Sequence, residues 1–509
     1  MTAPAHKLAA LTVLLACAIA AWAMWNLWDF TCDDAFITLR YSRNLAQGAG
    51  PTFNREPPPR AEGYTSFLWM LLATVPHLAL ADPVGVAKAA GVLFTLLTIA
   101  TCLRTAWLLC DEAGRGERLL SAALAAALFA AYPLTAVHGV SGMETALAAF
   151  LASLLGWLAV RGQAGPPGRA LPLCALLLGL TRPELNLAAL AIIGVAWRRR
   201  SVMARRPFLR AVALWYVLPG ALYFAWRVSY YGALLPLPFY VKSAALEPRG
   251  LMSALHFGID LADSFGLFLA VALVTLGSRS KPIVWAVLAV IVYLLHPEHV
   301  MGFGHRFFQP LVPLIAVLSA RGGALVLSAV SERFGARRMA AAHVALLVVC
   351  LAPVVCRYQF IWNEFRQYAA GMSRAHVRLG KLLRQHAPSG GAVLAIRDAG
   401  AVPYYSDWET VDCAGLNDRH VAKAGVASPA YVFGRRPALV VLQSRRSDKF
   451  LPHEPSEQAI YDECLLRGMS NIGTLEFTRD YYLWLMARPD TPLSRSLALE
   501  LGRPPSSTP

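Results

Sequence analysis

The chain has 509 residues, 56% of them hydrophobic and only 15% charged. Soluble globular chains carry about 25% charged residues, so this composition excludes a soluble fold and indicates a polytopic membrane protein. The net charge of +16 does not point to nucleic acid. The arginines gather in short loops between apolar runs, as on the cytoplasmic side of a membrane protein, and no interleaved aromatic and basic pattern occurs.

A spanning helix needs about 20 apolar residues. The first candidate is 8–28, running outward behind His6 and Lys7; no A-x-A site follows, so it reads as a retained anchor. The polar interval 31–66 comes next and opens with Asp33 and Asp34. Phe36, Ile37, Leu39 and Leu45 recur at near-helical spacing, which predicts a helix from Asp33 that Gly48 and Gly50 stop. Residues 66–81 are apolar but short and contain Pro76, so they read as a helix lying along the outer interface, within a first outer loop at 29–85. Spans follow at 86–109, 119–135 and 145–160, with an outer loop carrying His138–Glu144 between the last two. The run 170–197 is basic at both ends and broken at Thr181-Arg-Pro-Glu184, which predicts a pair of short helices with Arg182–Glu184 at the tip. Further spans at 211–228, 256–277, 282–295, 307–330 and 340–355 bring the total to about 11, with every strongly basic short loop inside.

Residues 357–509 are polar, with β-like runs at 391–396, 438–442 and 481–486, so they read as a C-terminal α/β extracytoplasmic domain beyond a membrane bundle at 1–356. The nine cysteines include no CxxC; Cys413 and Cys464 share this last segment and could pair in an oxidising compartment.

The unusual polar residues all fall on the outer side. Acids and cations at one membrane depth suit a substrate with an anionic head and a lipid tail. Asp33 and Asp34 are candidates for a general base acting on a sugar hydroxyl, or for helix-capping residues. A neighbouring carboxylate can raise the pKa of such a base, or hold a divalent cation with it. A lipid phosphate departs as a stable anion, so no paired general acid is required. Arg182 suits a phosphate oxygen or an ion pair with Glu184; His305 and Arg306 suit phosphate or an anchor at the headgroups. Lys242 and Tyr230–Tyr231 fit an aromatic belt, and Glu144 a first-turn charge. There is no P-loop, no strand–GxGxxG–helix and no HExxH, so neither a nucleotide-linked donor site nor a metal motif is visible.

Several stretches resemble the GT-C superfamily of polyprenyl-phosphate-sugar-dependent glycosyltransferases, and within it the arabinofuranosyltransferase B branch. They are DDAFITLRYSRNLAQGAGPTFN with EGYTSFLW, SGMETAL, LTRPE, YYGALLPLPFYVK, GHRFFQPLVP and DAGAVPYYSDWETVDCAGLND. The resemblance implies an α-helical GT-C bundle, a catalytic Asp33 or Asp34 in the first outer loop, and an interfacial helix after it. It also implies a polyprenyl-phosphate-sugar donor, such as decaprenyl-phosphoryl-arabinofuranose. Two departures bear on the sugar and acceptor: Leu237 stands where an asparagine is expected, and His299–Gly304 replaces a Gly-Gly-Asp motif.

Together these features predict an inverting glycosyltransferase in the cytoplasmic membrane, acting at its outer face on a cell-envelope glycan acceptor. Arg182, His305 and Arg306 would hold the donor phosphate, and Arg40, Glu62, Tyr64, Glu184 and Lys242 would contact substrate. The competing classes are a flippase for a lipid-linked sugar, disfavoured by the lack of paired repeats, and a non-catalytic assembly subunit.

Overall fold

A computed structural model describes residues 3–55, 60–162, 168–242, 251–259, 262, 277–296, 303–388 and 391–501. Helix α1 (Ala3–Asn26) carries the apolar run that starts at Leu8, behind His6 and Lys7. Helix α2 (Asp33–Ala46) begins where expected, with both aspartates in its first turn, where negative charge complements the helix dipole. Helix α3 (Phe67–Leu78) has 12 residues and is roughly 18 Å long, too short to cross about 30 Å of hydrocarbon. It buries Trp69, Met70 and Ala73 and exposes Leu71, Leu72, Val75 and Leu78 on its other side. Two apolar sides suit the interfacial position expected for this segment.

Helix α4 (Pro83–Leu109) starts at Asp82, whose carboxylate accepts from the Val84 and Gly85 N–H groups. Helix α5 (Arg115–Ala131) is bent by 60° from α6 (Pro133–Val140). The outer loop expected around His138 is therefore helical as far as Val140, because Pro133 breaks one helix and starts the next. Helix α7 (Thr145–Arg161) packs on α4, and the alanine-rich face of α5 lies against α1, α4 and α13 (Val312–Phe334). Small side chains at these seams let the helix backbones approach closely. Helices α8 (Ala170–Thr181) and α9 (Asn186–Arg198) form the expected short pair, joined by the single turn Pro183–Leu185. Helix α10 (Val202–Tyr231), α11 (Leu237–Lys242) and α12 (Lys281–Leu294) complete the described bundle with α13.

Four described helices are long and apolar enough to cross a membrane, or five if α5 and α6 make one span, so the chain is a multi-pass membrane protein. Helices α7, α8 and α12 are apolar but shorter. Most of the span expected at 256–277 lies outside the described residues.

Helix α14 (Ala336–Met372) does not stop near residue 356; it continues through a wider turn at Ser373–Val377 into Arg378–Gln385. Beyond it stands a five-stranded sheet in the order β2-β1-β3-β5-β4. Strands β1 (Val393–Ile396), β2 (Glu409–Asp412) and β3 (Leu439–Ser444) are parallel, and β4 (Ser470–Thr478) and β5 (Tyr481–Ala487) form an antiparallel hairpin joined to β3. The central β3 is buried at every residue, as expected of a strand covered on both faces. Three of these strands were legible as β-like runs; β2 and β4 were not. Cys413 and Cys464 do not pair: both are free thiols packed against the same apolar cluster.

Candidate active site

The sheet region clasps the first outer loop. Asp33 Oδ1 accepts from the Ala401 N–H at 2.8 Å and Oδ2 from the Gly400 N–H at 3.1 Å, while the Asp33 N–H donates to the Tyr368 hydroxyl. A Cβ at Gly400 would overlap both the carbonyl and the carboxylate of Asp33, so only glycine permits this approach. Arg40 donates to the carbonyls of Phe53, Pro403 and Trp408 and to Asn54 Oδ1. Asn54 in turn exchanges two hydrogen bonds with the Thr410 backbone. Arg43 adds the Tyr404 carbonyl and an ion pair with Asp407 at 2.6 Å.

Behind Asp33 lies a polar group built on His376 and on Asp398, the first residue of the DAGAVPYY stretch. His376 Nε2 stands 2.9 Å from Asp398 Oδ2, and Tyr481 and Gln443 donate to the same carboxylate at 2.7 Å each. Burial pushes the Asp33 carboxyl up to about 7; nearby His376 draws it down and Asp398 pushes it further up. Burial alone would lower His376, but its hydrogen bond to Asp398 and the negative charges of Asp398 and Asp33 together outweigh that, and its pKa is raised.

Asp34 faces the other way. It lines a cavity with Thr38, Tyr64, Glu144, Arg182, Glu184, Tyr293, Arg306 and Phe307, and Leu416 from the sheet region completes the wall. Arg306 Nη1 lies 2.9 Å from Asp34 Oδ2. The Arg306 Nε–H is buried and donates to nothing among the described residues. Arg182 is held on three sides: Nε and Nη2 each reach Glu144 Oε1 at 3.0 Å, and Nη1 reaches Glu184 Oε1 at 3.2 Å and the Arg306 carbonyl at 3.4 Å. Both guanidiniums also lie about 5 Å from the Phe307 ring, 5.1 and 5.0 Å respectively. The local chain explains the placement. Arg182 ends α8 in an extended conformation, so its side chain leaves the helix toward the cavity. Gly304 and His305 are both left-handed, at φ +53° and +52°, and His138 Nε2 lies 2.7 Å from the Gly304 carbonyl. That turn delivers Arg306 to the cavity, and a left-handed histidine is strain of the kind found at functional sites.

The expected site residues therefore divide. Asp34, Tyr64, Arg182, Glu184 and Arg306 line the cavity, joined by Glu144. Asp33 and Arg40 lie in the contact with the sheet region. Glu62 is buried in an ion pair with Arg227, at 2.9 Å from Nε, and burial raises its carboxyl to about 7 against the pull of that arginine. Tyr64 also bonds the Tyr231 hydroxyl at 3.1 Å, and Tyr231 donates to the Pro51 carbonyl; Tyr231, expected in an aromatic belt, is buried inside the protein. His305 does not line the cavity and rests its ring against Phe257. The side chain of Lys242 lies outside the described residues. Among the described residues no three His, Cys, Asp or Glu side chains are arranged to hold a metal ion. Arg227 had a readable signal, a lone arginine within an apolar run. Asp398 opens the DAGAVPYY stretch, which marked the segment but not this residue's role; His376 had no signal.

Residues 363–490 match a family described as a domain of unknown function, DUF8728. The chain is 29% identical over 290 residues to the terminal β-(1→2)-arabinofuranosyltransferase of Mycobacterium tuberculosis, covering 52% of this chain and 44% of that protein. It is 28% identical over 358 residues to the Corynebacterium glutamicum protein of the same name, covering 60% and 50%. The chain thus spans about half the length of these curated relatives. Among solved structures, ArnT from Cupriavidus metallidurans bound to undecaprenyl phosphate aligns with a TM-score of 0.59 at 12% identity, over 93% of this chain and 97% of that one. The resemblance drawn from the motifs is borne out: the chain shares the fold of ArnT and is similar in sequence to the terminal β-(1→2)-arabinofuranosyltransferases.

Proposed function

We propose that this protein is an inverting glycosyltransferase that moves a sugar, arabinofuranose in the narrow reading, from a polyprenyl-phosphate donor to an envelope glycan. Asp34 removes the proton from an acceptor hydroxyl. The hydroxyl oxygen attacks the anomeric carbon, the bond from that carbon to the phosphate oxygen breaks, and its electron pair leaves with the polyprenyl phosphate. A phosphate needs no proton to depart, so a single carboxylate base suffices. Arg306 holds Asp34 in the resting state and turns its guanidinium to the donor phosphate, which frees the base. Arg182, stiffened by Glu144 and Glu184, supplies a second fixed cation. Asp33 positions the start of α2, and residues 357–509 guide the acceptor on the outer face of the cytoplasmic membrane.

The observation that carries this reading is the divergence of the adjacent aspartates: Asp34 opens on a cavity holding two arginines, whereas Asp33 is sealed against Gly400 and Ala401. The test uses purified protein in detergent with polyprenyl-phosphoryl-arabinofuranose and an oligoarabinoside, with products read by mass spectrometry. Transfer by wild type that Asp34→Ala abolishes is expected. Transfer only from another lipid-phosphate sugar would overturn the arabinose assignment, and silence with every such donor would overturn the enzyme.

A further inference from the structure

The bundle has a second concave surface at its opposite end. An apolar trough of about 830 Å³ runs between the start of α1, the end of α4 and the start of α5, lined by Ala10, Val13, Leu103, Trp107, Leu108 and Ala122. That volume is within the roughly 300–1,000 Å³ of ligand pockets. Arg104 and Arg161 stand at its rim, with their guanidiniums 6.0 and 4.9 Å from the centre of the Trp157 ring. Both arginines are exposed, and neither has an acidic partner among the described residues. The nearby acids Asp111 and Glu112 are engaged by Arg279 and Arg321. Trp157 and Arg161 lie at the far end of α7 from Glu144; 17 residues separate the trough from the cavity by roughly 25 Å. The trough thus lies at the other end of α7 from the arginines proposed to hold the donor phosphate.

We infer that this trough binds an anionic phospholipid, with its phosphate between Arg104 and Arg161 and one acyl chain along α1, α4 and α5. Two unpaired cations beside a long apolar surface match a ligand with one compact negative charge and one hydrocarbon chain. Basic pockets between membrane helices bind anionic headgroups on this principle, and the basic end of the bundle is the one that meets the anionic inner leaflet. Both guanidiniums lie against Trp157, which limits the freedom they lose on binding.

Native mass spectrometry of the full chain, stripped of lipid in detergent, tests this. Phosphatidylglycerol and phosphatidylcholine with the same acyl chains are offered separately, and inorganic phosphate is added as a competitor to phosphatidylglycerol. The wild type should retain phosphatidylglycerol, and Arg104→Gln with Arg161→Gln should weaken retention about tenfold or more. Arg104→Lys with Arg161→Lys should restore most of it. Ala10→Trp, which fills the trough from an exposed position, should weaken it with both arginines intact. Equal retention of the two lipids, undiminished retention by the double glutamine variant, or full competition by inorganic phosphate would each overturn the inference. A monodisperse elution profile for every variant keeps loss of binding distinct from loss of fold.

Discussion

Asp33 and Asp34 are neighbours in sequence and belong to different parts of the molecule. Asp33 is 6% exposed and satisfied by two backbone N–H groups that cannot move without the sheet region moving too. Asp34 has 15% of its side chain exposed and meets a side chain, Arg306, instead of backbone. Successive residues in the first turn of a helix point about 100° apart, so one turn can serve two surfaces. A pair of like residues is thus not one functional unit. The first is fixed against the sheet region and the second opens on the cavity, and only their partners tell them apart.

The largest expected effect separates the two directly. Asp34→Asn should lower turnover per folded molecule by about 10²–10⁴-fold, since one general base is lost, and should also lower the thermal midpoint, since the buried Arg306 loses its charge partner. If Asp33→Asn were instead the inactive variant and Asp34→Asn the active one, the assignment would be reversed. Arg182→Ala leaves Glu144 and Glu184 without their cation and should cost about 3–5 kcal/mol of stability, read by thermal unfolding in detergent. Gly400→Ala and Asp33→Ala attack the same contact from its two sides. Asp33→Ala leaves two N–H groups unsatisfied at about 1–3 kcal/mol each, and Gly400→Ala should show a similar loss. A double variant no worse than either single one would show that they act on one contact.

The pH response sharpens the contrast further. Burial raises the Asp33 carboxyl to about 7 from an ordinary value near 3.9, so the fold favours its protonated form. The stability contributed this way is complete below about pH 4 and is lost as pH rises through about 7. The raised His376 acts in the same direction. Wild type should therefore lose thermal stability relative to Asp33→Asn between pH 5 and 8; a constant difference would contradict a buried, titrating Asp33. The smallest effect is expected at Tyr231→Phe, which removes two hydrogen bonds, to the Pro51 carbonyl and to the Tyr64 hydroxyl, and should cost about 1–2 kcal/mol with transfer retained.

Much of the architecture was legible because membrane helices announce themselves by length and apolarity. The start of α2 at Asp33, the short α3, and the tip at Arg182–Glu184 all follow from local spacing. The hidden parts depend on distant partners. Gly400 meets Asp33 across 367 residues, and Arg40 reads as a site residue until its carbonyl partners are known. Strand β2 is only ETVD, with acids at both ends, and irregular pairing around Asn471–Gly473 blurs the alternation of β4. Helix α6 is concealed by Pro133, which signals a break but not the helix it begins.

The unbroken passage from Ala336 to Gln385 spans 50 residues, roughly 75 Å of continuous helix. A helix of that kind indexes one end of the molecule to the other. Inserting one residue after Cys356 would advance everything beyond it by about 1.5 Å and rotate it by about 100°. Gly371, packed so tightly on β4 that a Cβ would overlap the Phe477 carbonyl, would be carried off its seat, and Gly400 with it. Seven inserted residues would nearly restore the angle, two turns of 3.6 being close to seven, while lifting the sheet by about 10 Å. The membrane bundle and the sheet are thus geared together, and changes in the length of this helix would be tolerated by phase before they are tolerated by size.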